Sequence, residues 1–187
     1  MKIVTQTDAV GERLGDEKAV EIICQSGFTG IDYSMFDIDE EGRPLNKADY
    51  ADHIARIKEK ADGFGVPFVQ SHAPFPSAKK DDSEYNKQIM RYIERAFDVS
   101  ARLGVKIMVV HPITFGEEGT DFELNYSFYQ QLVPYIKQTG VKVALENMFC
   151  RKEKGYAPSA CGSGETFLQM MDMLNSCLLY TSPSPRA

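Results

Sequence analysis

Much of what this 187-residue sequence could do is excluded by what it does not contain. It has no basic excess: 21 Lys and Arg stand against 27 Asp and Glu, a net charge of −6. Broad nucleic-acid faces are normally basic, so no nucleic-acid partner is expected. No apolar run approaches the roughly 20 residues that cross a bilayer, so no membrane partner is expected either. The start, Met1-Lys2-Ile3-Val4-Thr5, enters a strand pattern without the basic and then apolar segments of a signal peptide. The expected compartment is the cytoplasm. The four cysteines (Cys24, Cys150, Cys161 and Cys177) form no CxxC pair and are read as reduced thiols with no metal or disulfide role. There is also no Gly-rich phosphate loop.

What is present is ordinary in amount and regular in order. With 43% hydrophobic and 26% charged residues, the chain can bury one sizeable core. Strand patterns fall at residues 2–7, 30–36, 66–72, 105–110 and 141–148. Helical patterns fall between them, at 16–26 with Asp16 as N-cap, 49–64, 83–103 and 123–138. The third helix carries Ile89, Ile93, Ala96, Phe97 and Ser100 on one stripe. Alternation of this kind implies parallel strands joined by crossover helices. Short Gly-containing links precede the strands, and long polar loops such as 37–47, 113–122 and 149–162 follow them. A further helix starts near Ser163, its N-cap, and carries Phe167, Met170, Met171 and Leu174 as core.

The predicted fold class is α/β, an incomplete (β/α)8 barrel of about five to six βα units over residues 1–176. Residues 177–187 break the pattern. This Ser/Pro-rich stretch resembles translated sequencing-adapter read-through and is expected to be a non-native or disordered tail. Five parallel strands would leave the first and fifth as edges, and the apolar 177–180 segment could fill a sixth slot.

Three strands end in groups that can bind metal. Phe68-Val69-Gln70-Ser71 leads to His72, Ile107-Met108-Val109-Val110 to His111, and Val141 through Leu145 to Glu146. A carboxylate at the end of a buried strand needs a charged partner or a metal. Asn147 is expected to contact substrate or orient the loop. Asp32 and Tyr33 are expected to line the pocket or to sit as solvated loop roots. His53, inside a helix, is expected at the surface.

These residues resemble the successive strand-end motifs of the xylose isomerase-like TIM barrels. The motifs are Ser71-His72-Ala73-Pro74, Val110-His111-Pro112 and Leu145-Glu146-Asn147-Met148. That family includes sugar-phosphate isomerases and epimerases, inosose dehydratases, hydroxypyruvate isomerases and zinc-dependent apurinic endonucleases. The resemblance implies that Glu146 binds a divalent metal (Mn, Mg or Zn) and moves a proton. It implies His72 as a catalytic partner near metal or substrate and His111 as a pocket-lining, substrate-binding residue, both zinc ligands in the endonucleases. Asn147 and Asp32 are further substrate-binding candidates from their places on the strands. The remaining family ligands come from strands six, seven and eight, beyond this sequence. The implied function is a metal-dependent sugar or sugar-phosphate isomerase or epimerase, with the fragment inactive alone and a homo-oligomer open for the full-length parent. An apurinic endonuclease-like hydrolase and an inosose dehydratase-like lyase are the alternatives. Acidic residues in the strand-exit loops (Asp37, Asp39, Glu40, Glu41, Glu117, Glu118 and Asp121) weigh against a DNA substrate.

Overall fold

A parallel strand can bury both faces only if helices cover one side and other strands or side chains fill the other. The computed structural model, which describes residues 3–115, 118–152, 155–158, 161–174 and 179–181, takes that solution. In chain order its elements are β1 (Val4–Gln6), α1 (Asp8–Leu14), α2 (Asp16–Gln25), β2 (Gly30–Ser34), a 3-10 turn (Pro44–Asn46), α3 (Tyr50–Phe64) and β3 (Phe68–His72). Then come α4 (Ser83–Leu103), β4 (Ile107–Val110), α5 (Glu118–Thr139), β5 (Lys142–Leu145), β6 (Phe149–Lys152), β7 (Gly155–Pro158), α6 (Gly164–Leu174) and β8 (Leu179–Thr181). Six strands form one sheet in the order β1-β2-β3-β4-β5-β8, every neighbour parallel. This is the α/β arrangement of an incomplete (β/α)8 barrel.

The helix stripes face the sheet as their spacing demands. On α4, Ile89, Ile93, Ala96, Phe97 and Ser100 are all buried. Asp82 caps that helix by accepting from the Tyr85 amide at 2.9 Å, and Gly104 ends it in the left-handed conformation that favours glycine. Gly30 is required for a different reason. A Cβ there would lie 3.0 Å from Val69 Cγ2 and 3.3 Å from Val4 Cγ2, so β1, β2 and β3 close up only over a bare backbone.

Several expectations need correction. Residues 149–162, expected to form a loop, contain the antiparallel pair β6–β7, whose four-residue strands give no alternation long enough to detect. Helix α1 was not expected, because Gly11 interrupts its pattern; in the fold Gly11 is buried against Asp16 and Ala19. Helix α5 begins at Glu118 rather than 123. The slot beside β5 is filled as the apolar 177–180 stretch allowed: β8 pairs with β5 from Val143↔Leu179 to Leu145↔Thr181, so β5 is not an edge. The boundary expected after Ser176 and the stretch 182–187 lie outside the described residues.

Neither His53 nor Asp16 sits as expected. Gly15 occupies the N-cap position of α2, and Asp16 is the first helical residue. The Asp16 Oδ2 accepts from Tyr33 OH at 2.6 Å and from His53 Nε2 at 3.0 Å. His53 is 7% exposed, a buried link between α3 and α2 rather than a surface group. Tyr33 therefore points to the helix side of β2, away from the barrel interior.

Burial works to raise the Asp16 carboxyl, but the hydrogen bonds from His53 and Tyr33 and the charges of His53 and Arg43 outweigh it and hold the carboxyl below its ordinary value of 3.8. A lowered carboxyl contributes stability that is complete above the unfolded value and lost as pH falls through the folded one. The stability gap between wild type and Asp16→Asn should thus be full above about pH 4 and close below it. Urea denaturation across that range measures it, and a pH-independent gap would refute the assignment.

Candidate functional site

Strand register places the strand-end residues in rungs on the barrel's inner face. Gln6, Asp32 and Gln70 are paired across β1, β2 and β3. Ser34, His72, Val109 and Ala144 form the next rung. His111 and Glu146 follow Val110 and Leu145, which are themselves paired, so they stand two residues beyond Val109 and Ala144 on the same face. His72 therefore rises from one rung below the other two.

The three side chains converge. One ligand atom from each of His72, His111 and Glu146 lies within 4.8 Å of the others. His111 Nε2 is 2.8 Å from Glu146 Oε2. His72 Nδ1 lies 2.9 Å from Asp32 Oδ1, and Gln70 Nε2 donates to Asp32 Oδ2 at 2.8 Å. The Gln6 amide nitrogen sits 3.2 Å from both ring nitrogens of His72.

Backbone bonds hold the platform. The Met35 amide donates to the His72 carbonyl at 3.1 Å, and the Ala73 amide to the Val109 carbonyl at 2.8 Å. Ser77 Oγ donates to the His111 carbonyl at 2.6 Å, and Tyr129 OH to the Val110 carbonyl at 2.8 Å. Asn125 clamps the loop after β4, accepting from the Ile113 amide and donating to the Ile113 carbonyl.

Two aromatic rings wall the histidines. Phe36 stacks on His111 with centroids 5.7 Å apart and meets His72 edge-on at 5.5 Å. Phe75 meets His111 edge-on at 5.0 Å. Phe36, stacked on the ring, takes one face of His111 from a ligand. Asp32 is buried beneath His72 and lies outside the close-donor group. Asn147 is exposed and also outside it. Ser34 Oγ is buried on the His72 rung with no hydrogen-bond partner among the described residues.

Sequence reasoning missed Gln6, Gln70, Phe36 and Phe75. The rule that strand ends line a barrel's active face applies to Gln6 and Phe36 as it does to His72. Gln70 depends on a register irregularity between Ile31 and Asp32 that no periodicity reveals.

The donor set fits a divalent ion. Bonds of about 2.0–2.2 Å at a tetrahedral angle put ligand atoms roughly 3.4 Å apart. The 2.8 Å contact and the 4.8 Å limit bracket that spacing. Two imidazoles and a carboxylate suit zinc or manganese. Cys161 lies outside the close-donor group, and burial pushes its thiol up to about 12.

Over residues 20–179 the sequence matches the family described as xylose isomerase-like TIM barrel. The chain belongs to that family. Among solved structures similar to this family member is a 3-keto-D-glucoside 4-epimerase from E. coli, at 16% identity and TM-score 0.71, with 97% of this chain and 67% of that one covered. A D-tagatose 3-epimerase-like protein matches at 21% and 0.70, covering 97% and 64%. An IOLI protein with a binding zinc atom matches at 15% and 0.67, covering 97% and 62%. The likeness is one of fold, and the chain spans about two thirds or less of those lengths. A search of curated proteins gave no match. No helix among the described residues is long and apolar enough to cross a membrane.

Replacing Phe36 with Ala should expose His72 and His111 and leave His53 covered. Carbethoxylation followed by peptide mass spectrometry should then show faster modification at His72 and His111 alone. Equal rates in wild type and variant would remove Phe36 as their cover.

Proposed function

We propose that this chain carries part of the active site of a metal-dependent sugar or sugar-phosphate isomerase or epimerase. The observation that carries the reading is the convergence of His72, His111 and Glu146 at the ends of β3, β4 and β5 in a xylose isomerase-like barrel. The epimerase names of the similar structures support a small sugar as substrate. His72, His111 and Glu146 would hold the ion, and Asp32 would act through His72 rather than on substrate.

Moving a carbonyl, or inverting the carbon beside it, develops negative charge on oxygen next to a carbon that has lost its proton. A bound divalent ion supplies positive charge where that oxyanion develops. The chain's own contribution is a carboxylate, Glu146, at the strand end, where it can take and return a proton. His111 fixes that carboxylate by its 2.8 Å contact. Phe36 and Phe75 present hydrocarbon around the histidines, which excludes water from one side of the site.

A zinc-dependent apurinic endonuclease-like hydrolase could use the same three donors. The net charge of −6 and the acidic strand-exit loops favour the sugar reading, because they repel a phosphate backbone.

Calorimetric titration of the 187-residue chain with zinc or manganese should show one ion per chain. Glu146→Gln and His111→Ala should each weaken binding at least about tenfold. Saturable binding that ignores both substitutions would sink the site.

Three donors are an incomplete shell for this chemistry. Ketoses incubated with the metal-loaded chain should therefore show no isomerisation or epimerisation by chromatography, and clear turnover would overturn that limit.

A further inference from the structure

We propose that Asp32 and Gln70 are positioning residues that fix which nitrogen of His72 carries the proton. His72 is 4% exposed and Asp32 is 5% exposed, so water does not compete for the contact between them. A carboxylate oxygen only accepts, so the His72 nitrogen 2.9 Å from it, Nδ1, must be the N–H. A neutral imidazole has one N–H, so Nε2 keeps the lone pair and is the ring atom able to accept from the Gln6 amide, 3.2 Å away, or to bind an ion in its place. Gln6 does not decide the matter, since its amide nitrogen is equally far from both ring nitrogens.

Gln70 completes the device. Its amide donates to the second Asp32 oxygen at 2.8 Å, which holds the carboxylate in the plane that meets Nδ1. The register irregularity creates this pairing. Ile31 pairs with Phe68, but the next residue of β2, Asp32, pairs with Gln70, so β3 advances two residues for one on β2. Phe68 packs edge-on with Tyr33 on the helix side, while Gln70 and His72 both bond Asp32 on the inner side. Without the extra residue, alternation would place Phe68, Gln70 and His72 on a single face.

The inference rests on the reading of His72 as a ligand only for its consequence in metal affinity; the tautomer is tested without metal. Long-range proton–nitrogen NMR on the histidine-labelled full chain, at a pH where the rings are neutral, reports which nitrogen is protonated. His72 should be Nδ1–H in wild type. In Asp32→Asn, Gln70 keeps the amide oxygen and turns the amide NH2 toward His72, so the ring should switch to Nε2–H. Zinc affinity should then fall about 10–100-fold. In the double variant D32N/Q70L the Asn is free to turn its oxygen to His72, which should restore Nδ1–H and most of the affinity. A merely structural role for Asp32 would lower stability without exchanging tautomers or allowing that rescue.

If D32N does not fold, the wild-type spectrum alone decides. An Nε2–H or doubly protonated His72 in wild type overturns the proposal. So does unchanged tautomer and zinc affinity in a folded D32N. If the tautomer switches as described but wild type binds no zinc, the positioning of His72 stands and the metal reading falls.

Discussion

Parallel register between neighbouring strands is the constraint on which the site depends. Because side chains alternate with a period of two, a slip of one residue between β4 and β5 would turn Glu146 from the inner face to the helix face. The pairing Val110↔Leu145 prevents this by placing His111 and Glu146 level. That pairing is held from outside the barrel, where Met108, Val110, Val143 and Leu145 join the core that packs the helices to the sheet. The apolar side of each strand thus sets the position of the polar side.

Asp32 and Tyr33 show how one strand divides its work between the two faces. Consecutive residues of β2, they point oppositely, and each meets a histidine from a different element. Tyr33 shares the Asp16 carboxylate with His53 and ties β2 to α2 and α3. Asp32 supports His72 from the rung beneath. Both arrangements are acid–histidine contacts, the first part-buried and the second buried, and their chemistry alone does not separate them. Position does: one lies between helices, the other beneath a group of metal-capable donors. A cleft of about 400 Å³ near Asp16 and His53 contains none of the three donors.

How much was legible in the sequence follows from which interactions are local. The boundaries of α4 were readable because Asp82, the apolar stripe and Gly104 all lie within the helix or next to it. His72, His111 and Glu146 were readable because each closes an apolar run, a pattern that needs no tertiary knowledge. His53 was misread although its spacing of four from Ile57 and eight from Ala61 puts it on the buried face of its helix, because the partner that satisfies a buried imidazole there, Asp16, is 37 residues away. Gln70 was invisible for a related reason. Its face depends on a bulge defined jointly by two strands, while its own neighbours suggest regular alternation. Asn147 follows Glu146 directly, yet alternation and the end of β5 leave it exposed.

The aromatic wall narrows what His111 can do. A sugar binds an imidazole either through a hydroxyl at the ring edge or by laying C–H bonds on the ring face. Phe36 stacks on that ring and Phe75 meets it edge-on, and Glu146 takes the Nε2 edge. Phe36 thus takes one face of His111 from a sugar, and Nε2 acts in common with Glu146. The wall also couples the site to the loop after β2. That loop is fixed to α4 by the Arg95 guanidinium on the Leu45 carbonyl at 2.7 Å and by Tyr92 OH on Asn46 at 2.9 Å. Phe36 therefore approaches the histidines from an anchored segment, and the geometry of the three donors is set by the barrel's outer layer as well as by its strands.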